Sequence, residues 1–172
     1  ATSTAVTVWT HARLWGAPMY EEMPVGVSIA RIVEETPSIR TFYFDHEISA
    51  RPGQFVMVWV PGVDEIPMAL SSSSSITVQK VGDATAALFA MGEGDVMGIR
   101  GPYGNGFSAG GRTLAFAGGV GATPLLPLAE SGQVEVFLLG ARTASEVLFA
   151  DRIRRVARLM VATDDGTAGH HG

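Results

Sequence analysis

The sequence has no cysteine, few charged residues and no long apolar run. Charged residues make up 17% of its 172 residues and hydrophobic residues 47%. Without cysteine, the sequence can form neither disulfide bonds nor an iron–sulfur cluster held by its own thiolates. No apolar run reaches the roughly 18 residues of a membrane span, and the first ~20 residues lack the basic start and apolar block of a signal peptide. We therefore predict a cytoplasmic protein without a membrane partner.

Basic residues and metal ligands are also scarce. The net charge is −5, whereas nucleic acid favours clustered basic surface, so we predict no nucleic-acid partner. The histidines are His11, His46, His170 and His171, and no two of them have the spacing of a helical zinc motif. We therefore predict no metal site.

The first half of the sequence is rich in strand-like segments. Residues 1–21 have little periodicity, and we interpret them as an N-terminal extension, a tag or an extra edge strand. The strand-like segments are Val27–Val33, Arg40–Phe44, Phe55–Val60, Ile76–Val81 and Val96–Arg100. Short strands with Gly and Pro turns between them predict a small barrel or sandwich. We place this first domain at residues 22–107.

After Phe107 the pattern changes, and we place a second domain at residues 108–172. Apolar runs at Thr113–Ala117, Val134–Leu139 and Leu159–Thr163 alternate with helix-like segments at about 123–131 and 144–158. Thr143 and Glu146 have the spacing of a capping box at the start of the second helix. This alternation predicts a parallel sheet with right-handed crossovers. A sheet of three strands would leave its far edge unpaired.

A glycine-rich turn, Gly118-Gly-Val-Gly-Ala-Thr-Pro124, joins the first parallel strand to the first helix. Free N–H groups at a helix start, with glycine allowing close approach, suit a phosphate. The pattern differs from Gly-x-Gly-x-x-Gly, and no acid is evident at the usual later position. On spacing alone, a nucleotide site and a tight structural turn are equally supported.

Three further stretches carry a resemblance to a known family. They are Arg51–Ser71, Gly101–Phe107 and Leu139–Thr143, with the glycine turn between the last two. In this order they resemble the ferredoxin–NADP reductase superfamily, and within it the electron-transfer subunits of dihydroorotate dehydrogenase of archaeal type. The likeness covers about residues 25–172. Hydrogenase gamma subunits and other flavin reductases share much of it.

The resemblance implies an antiparallel flavin-binding β-barrel followed by a Rossmann-like parallel α/β nucleotide-binding domain. Ile66 and Ala69 stand where the family has an arginine and a serine, and Ala84 replaces a glycine. The residues that the resemblance assigns to FAD are Ile66, Pro67, Met68, Ala69, Ser71, Thr77, Val78, Gln79, Gly82, Ala84 and Thr85. Loss of the arginine weakens a charged hold on the diphosphate.

For the nicotinamide dinucleotide, NAD or NADP, the resemblance implies the glycine turn and the end of the second parallel strand. The matching residues are Gly118, Gly119, Gly121, Thr123 and Arg142. Arg142 is equally well read as a surface arginine near a helix start. Asp164–Gly169 follows the third parallel strand and would face the same crevice, or would form only an acidic turn.

The family's activity implies a role in electron transport. A catalytic partner subunit containing FMN oxidises dihydroorotate in pyrimidine biosynthesis, and electrons pass through a 2Fe–2S cluster to FAD and then to NAD+. This chemistry needs no acid or base from the chain, so we name no catalytic residue. We expect an oligomer with that partner.

Family members also carry a C-terminal segment with four cysteines, which this sequence lacks. We expect a sequence whose second domain is incomplete at the C-terminus, through truncation or loss, and favour truncation because the sheet would otherwise stop short. Two other readings stay open. One is a related reductase subunit of hydrogenase gamma or ferredoxin–NADP type. The other is a binding remnant without cofactors, to which Ile66, Ala69 and Ala84 point.

Overall fold

The computed structural model describes residues 23–172, which form a closed β-barrel followed by a parallel sheet. The barrel strands are β1 (Val25–Thr36), β2 (Ile39–Phe44), β3 (Phe55–Val60), β4 (Asp64–Ser72), β5 (Ser75–Gln79) and β6 (Val96–Tyr103), and helix α1 (Asp83–Ala90) connects β5 to β6. Around the barrel the order is β1-β2-β5-β4-β3-β6, with every neighbouring pair antiparallel. The predicted antiparallel barrel is confirmed, whereas the predicted N-terminal extension lies outside the described residues.

The barrel interior is filled by alternate side chains of its strands. The fully buried members include Val27, Ile29, Phe42, Val56, Val58, Ile76, Val78 and Met97. Phe42 lies edge-on to Phe89 of α1, with 6.2 Å between the ring centroids. Since burial of such a side chain contributes about 1.5–3 kcal/mol, this alternation drives barrel closure.

Strand β4 is the barrel element that sequence patterning did not predict. Its residue Pro67 lies opposite Met57 of β3, and proline donates no backbone hydrogen bond to a ladder. Proline normally argues against a strand interior. The pairing of β4 with both β3 and β5 outweighs that local signal.

The second unit is a four-stranded sheet with all neighbouring strands parallel. Its strands are β7 (Leu114–Gly118), β8 (Val136–Ala141), β9 (Arg158–Thr163) and β10 (His170–His171), and its helices are α2 (Leu126–Glu130) and α3 (Ala150–Arg154). The predicted parallel α/β architecture is confirmed. The expected bare edge is wrong in part, because His170 and His171 pair with Ala162 and Thr163 of β9. Within residues 23–172, no helix is both long and apolar enough to cross a membrane.

The predicted helix at 144–158 is wrong, because the segment is broken in the middle. A single 3-10 turn covers Ala144–Glu146, and Phe149 adopts a left-handed conformation with φ of 59° before α3 begins. No side-chain cap forms at Thr143, whose hydroxyl bonds Ser145 Oγ at 2.9 Å instead. The predicted capping box therefore does not exist, and Glu146 is free for another partner.

The barrel and the parallel sheet are joined by apolar and polar contacts. Ile39 belongs to barrel strand β2, yet it is 4% exposed and packs in the hydrophobic cluster of the second unit. Arg152 of α3 is paired with Glu130 at 2.8 Å and donates a 3.5 Å hydrogen bond to the Ser71 carbonyl. These contacts set the position of the cleft between the two units.

A second interlock ties the barrel's last loop to the loop before β3. A Cβ on Gly53, which has φ of +88°, would lie 2.6 Å from the Phe107 ring. The Phe107 N–H also donates to the Pro52 carbonyl at 2.7 Å. Glycine is required at position 53 both by its dihedral angle and by this close approach.

Candidate functional site

A cleft of about 420 Å³ opens between the barrel and the carboxyl ends of the parallel strands. The barrel lines it with Thr36, Ser38, Ile39 and Gln79. The parallel sheet and its loops line it with Gly118, Gly119, Gly140, Ala141, Arg142, Glu146 and Asp164. Open α/β sheets bind ligands outside the carboxyl ends of their strands, and this cleft lies at that edge.

The glycine turn forms the floor of the cleft with space left above it. Gly119 has φ of +50° and begins a 3-10 helix that ends at Leu125. A Cβ added to Gly119 or Gly121 would meet no atom within 4 Å. The glycines therefore relieve no clash within the protein at these two positions, and the room beside them is available to a ligand.

Thr123 is the polar side chain of this turn, and the protein does not satisfy it. It is 1% exposed, and its Oγ1 has no hydrogen-bond partner among the described residues. A buried hydroxyl without a partner is costly, and nearly all native ones are paired. The unpaired hydroxyl and the open space at the glycines fit a bound nucleotide.

Arg142 and Glu146 form an ion pair at the rim of the cleft. Arg142 Nε donates to Glu146 Oε2 at 2.8 Å, and Nη2 donates to Oε1 at 2.7 Å. The hydrogen bonds to Glu146 raise the pKa of the Arg142 guanidinium above its ordinary value, with a smaller contribution from the charge of Asp164. The pair is bidentate, the geometry in which arginine binds carboxylates most specifically.

Sequence reasoning assigned Glu146 to a helix cap and so missed its place in the cleft. The 3-10 turn carries it back over the end of β8, where it meets Arg142 and lines the cavity. The spacing of four residues between Arg142 and Glu146 was the available signal.

The loops after β8 and β9 are locked together and form one wall of the cleft. The N–H groups of Asp164 and Asp165 donate to the carbonyls of Ala141 and Arg142 at 3.1 and 3.2 Å. Thr167 Oγ1 donates to Asp165 Oδ1 at 2.6 Å and accepts from the Ala144 N–H at 2.9 Å. The hydrogen bonds that the hydroxyl and the N–H of Thr167 donate to Asp165 lower the pKa of that carboxyl below its ordinary value.

The second predicted phosphate turn, at the start of α1, is satisfied differently. Thr85 Oγ1 accepts from the N–H groups of Val81 and Gly82 at 2.9 Å each, and it donates to the Gly82 carbonyl at 2.8 Å. Its hydroxyl is therefore fully engaged within the turn. The amides of Asp83 and Ala84 lack acceptors within the helix, as at every helix start, and a Cβ on Gly82 would meet nothing within 4 Å.

Comparison with known proteins agrees with this geometry. No protein-family model matches the chain. The chain is similar to a solved NADH-dependent reduced ferredoxin–NADP oxidoreductase, with a TM-score of 0.76 and 28% identity over 85% of this chain and 59% of that one. It is also similar in fold to the FAD/NAD binding domain of nitric oxide dioxygenase from Vibrio cholerae, with a TM-score of 0.68 and 19% identity over 82% of this chain and 74% of that one.

The chain has the ferredoxin–NADP reductase-like fold. Among curated proteins it is 51% identical over 156 residues to a probable dihydroorotate dehydrogenase B (NAD(+)) electron transfer subunit from Methanocella arvoryzae. It is 45% identical over 156 residues to the protein of the same name from Methanocaldococcus jannaschii. The matches cover 87% and 88% of this chain but 60% and 61% of the two relatives. The resemblance read from the sequence motifs is confirmed.

On the barrel side of this reductase-like fold, the predicted flavin residues differ in whether their side chains are buried or reach the cleft. Val78 is fully buried in the barrel core, and Ser71 is fully buried with its hydroxyl on Ser75 Oγ at 2.9 Å. Thr77 lies on the opposite face of β5 from Val78 and pairs with Thr41 Oγ1 at 2.8 Å. Gln79 reaches the cleft. The structure thus brings Gln79 next to the nucleotide turn, places Val78 in the barrel core and buries Ser71 against Ser75.

Strand β4 presents the remaining predicted flavin residues. Ile66 and Met68 are half-buried and pack against the barrel core. Pro67 and Ala69 alternate with them and so lie on the outer face of the strand. None of the four side chains can donate a hydrogen bond, so a cofactor at this strand would depend on apolar contact and on backbone groups.

Proposed function

We propose that this chain is the FAD- and nicotinamide-binding part of an electron-transfer subunit. It would pass electrons between a partner dehydrogenase and NAD(H), in the oxidation of dihydroorotate in pyrimidine biosynthesis. Two relatives that are 51% and 45% identical to it, both named as probable electron transfer subunits of dihydroorotate dehydrogenase B (NAD(+)), support this activity. The chain spans about three fifths of the length of those relatives, so the activity of the whole protein is part of the proposal.

The observation that carries the proposal is the cleft shared by barrel and parallel sheet. Gly118 and Gly119 form its floor, with open space at Gly119, and the unpaired hydroxyl of Thr123 lies buried in the same turn. Its opposite wall is formed by barrel residues, including Gln79. A dinucleotide bound on the floor would therefore lie against any cofactor that the barrel binds at that wall.

Bound FAD would supply hydride exchange with the nicotinamide and single-electron exchange with a second redox centre. The chain's own residues would bind the cofactor and orient it. The α1 start offers the amides of Asp83 and Ala84 to the diphosphate, and β4 offers the apolar surface of Pro67 and Ala69. With Ile66 in place of the family's arginine, the hold on the diphosphate rests on backbone groups.

The assembly and the domain limits belong to the same proposal. Since none of the 172 residues is a cysteine, we propose that a 2Fe–2S cluster, where one serves this subunit, is bound outside these residues. The partner would be an FMN-containing catalytic subunit in a cytoplasmic complex. We place the flavin domain at 22–107 and the nicotinamide domain at 108–172, with the boundary between β6 and β7.

The visible absorption spectrum of the purified chain tests the proposal, recorded before and after addition of FAD and then of NADH without oxygen. Flavin bands at about 375 and 450 nm would establish the flavin site, and their bleaching by NADH would establish the nicotinamide site. Bands that NADH leaves unchanged would contradict the nicotinamide half. A chain that stays colourless in excess FAD would contradict the flavin half and favour the binding remnant.

A pair of variants locates the flavin diphosphate. Gly82→Leu places a side chain in the open space at the α1 start, where φ of −161° suits any residue, and it should abolish the flavin bands. Gly110→Leu places the same side chain in open space on the loop before β7 and should leave them intact. Equal flavin content in the two variants would show that the diphosphate does not bind at the α1 start.

A further inference from the structure

The cleft contains one basic side chain and two acidic ones. Its charged lining residues are Arg142, Glu146 and Asp164, so the lining carries a net charge of −1, from one positive and two negative groups. All three follow the ends of β8 and β9. In a sheet of this topology, the group after the second strand holds the adenosine ribose of a dinucleotide, while the pyrophosphate lies on the glycine turn after the first.

At that position an arginine favours NADP, whereas a carboxylate favours NAD. A carboxylate accepts a hydrogen bond from the ribose 2′-hydroxyl of NAD, whereas an arginine accommodates the 2′-phosphate of NADP. This chain has both, and they are bonded to each other. The two donors Nε and Nη2 of Arg142 point at the Glu146 carboxylate at 2.8 and 2.7 Å, and Asp164 adds a second negative charge near the guanidinium.

We propose that Glu146 selects NAD(H) over NADP(H), by occupying the guanidinium that would otherwise bind the 2′-phosphate and by keeping this end of the cleft negative. The inference rests on the proposed function. A 2′-phosphate would bring a charge of about −1.5 to −2 at neutral pH to a wall with a net charge of −1. A 2′-hydroxyl brings no charge and donates a hydrogen bond that a carboxylate can accept. Arg142 acts here as the positioning partner of Glu146.

The ion pair is exposed to solvent, so a substitution that breaks it should cost little stability. The side chains of Arg142 and Glu146 are 73% and 30% exposed, and such surface pairs are weak. Removing the charge of Glu146 should therefore free Arg142 without disturbing the fold. A 2′-phosphate could then take the bidentate place that the carboxylate leaves.

Calorimetric titration of the purified chain with ADP-ribose and with 2′-phospho-ADP-ribose tests this inference. These two probes differ only at the 2′ position. We expect the unmodified chain to bind ADP-ribose at least about tenfold more tightly. Glu146→Gln should reduce that ratio about tenfold, mainly by tightening the binding of 2′-phospho-ADP-ribose, and a further Arg142→Ala change should reverse the gain.

A matched control is available on the same sheet. Glu135 makes an equivalent bidentate pair with Arg112, at 2.8 and 2.7 Å, and neither residue lines the cleft. Glu135→Gln removes the same kind of ion pair and should leave the binding ratio unchanged. An identical shift in both glutamine variants would show a general charge effect and overturn the role of Glu146.

The remaining outcomes separate the inference from the proposed function. ADP-ribose binding with no change of the ratio in Glu146→Gln, or a preference of the unmodified chain for the 2′-phospho form, overturns the inference alone. A folded chain that binds neither probe overturns the nicotinamide site itself, and the inference with it.

Discussion

The two turns proposed for phosphate differ in what their threonine hydroxyls already do. At the α1 start, Thr85 bonds three backbone groups of its own turn. At the turn after β7, Thr123 is also buried, and its hydroxyl bonds nothing among the described residues. The hydroxyl of the first turn is fully bonded without a ligand, whereas the hydroxyl of the second turn has no protein partner and could bond a ligand.

Charge widens the contrast between the two turns. The α1 start carries Asp83 in its first turn, where a carboxylate stabilises the helix but opposes a bound diphosphate. The turn from Gly118 to Pro124 carries no charged side chain. We therefore expect the second turn to bind its nucleotide with less dependence on other contacts than the first.

Filling the open space at the second turn should have the largest effect. Gly121→Leu places a side chain where no protein atom lies within 4 Å, so the fold should tolerate it while the nucleotide is displaced. We expect affinity for ADP-ribose to fall at least about 100-fold, or ~2.7 kcal/mol. Calorimetric titration measures the loss, with Gly110→Leu as the control of equal side chain. Unchanged affinity would show that the nucleotide does not lie at this turn.

Thr85→Val should have the second-largest effect, which is a loss of stability. Valine keeps the shape of threonine but leaves the N–H groups of Val81 and Gly82 without their partner, while the Gly82 carbonyl keeps its hydrogen bond from the Ala86 N–H. We expect the free energy of unfolding to fall by about 1–2 kcal/mol, measured by denaturant titration. A variant as stable as the parent would mean that solvent replaces these bonds, and that the α1 start is less complete than its geometry indicates.

Thr123→Val is the matched substitution at the other turn, and it should act in the opposite sense. Without ligand, the free energy of unfolding should be unchanged or rise by up to about 1 kcal/mol, because an unpaired buried hydroxyl is removed. Affinity for ADP-ribose should fall about 3- to 10-fold, the equivalent of one hydrogen bond. Destabilisation equal to that of Thr85→Val would show that the Thr123 hydroxyl is bonded in the free protein.

Acid should produce the smallest and most local change. Thr167 lowers the pKa of Asp165 below its ordinary value of 3.8. The contribution of the ionised Asp165 carboxylate to stability is therefore present above pH 3.8 and is lost as pH falls through the lower folded pKa. The α1 start depends on a neutral hydroxyl and should not respond. Amide hydrogen exchange below about pH 4 should show Ala144 losing protection before Ala86. Simultaneous loss at both residues would contradict the separation.

Much of the fold followed from local patterns, because alternating and continuous apolar strands are signals that a short window carries. Strand β4 did not, since Pro67 and the serines after it read as a loop and only pairing with β3 and β5 makes them a strand. Glu146 was misplaced for a similar reason. Its local cap competes with a bidentate bond to Arg142, and the tie from Thr167 to Ala144 holds the chain in a turn rather than a helix.

The shared position of Ile39 has a consequence for how the molecule melts and how it can be recombined. A residue of the barrel completes the apolar interior of the parallel sheet, so loss of either unit exposes part of the other. Heating should therefore give one cooperative transition rather than two. A chimera that takes its barrel from another protein must supply an apolar side chain of similar volume at this position, or its second half will carry a cavity.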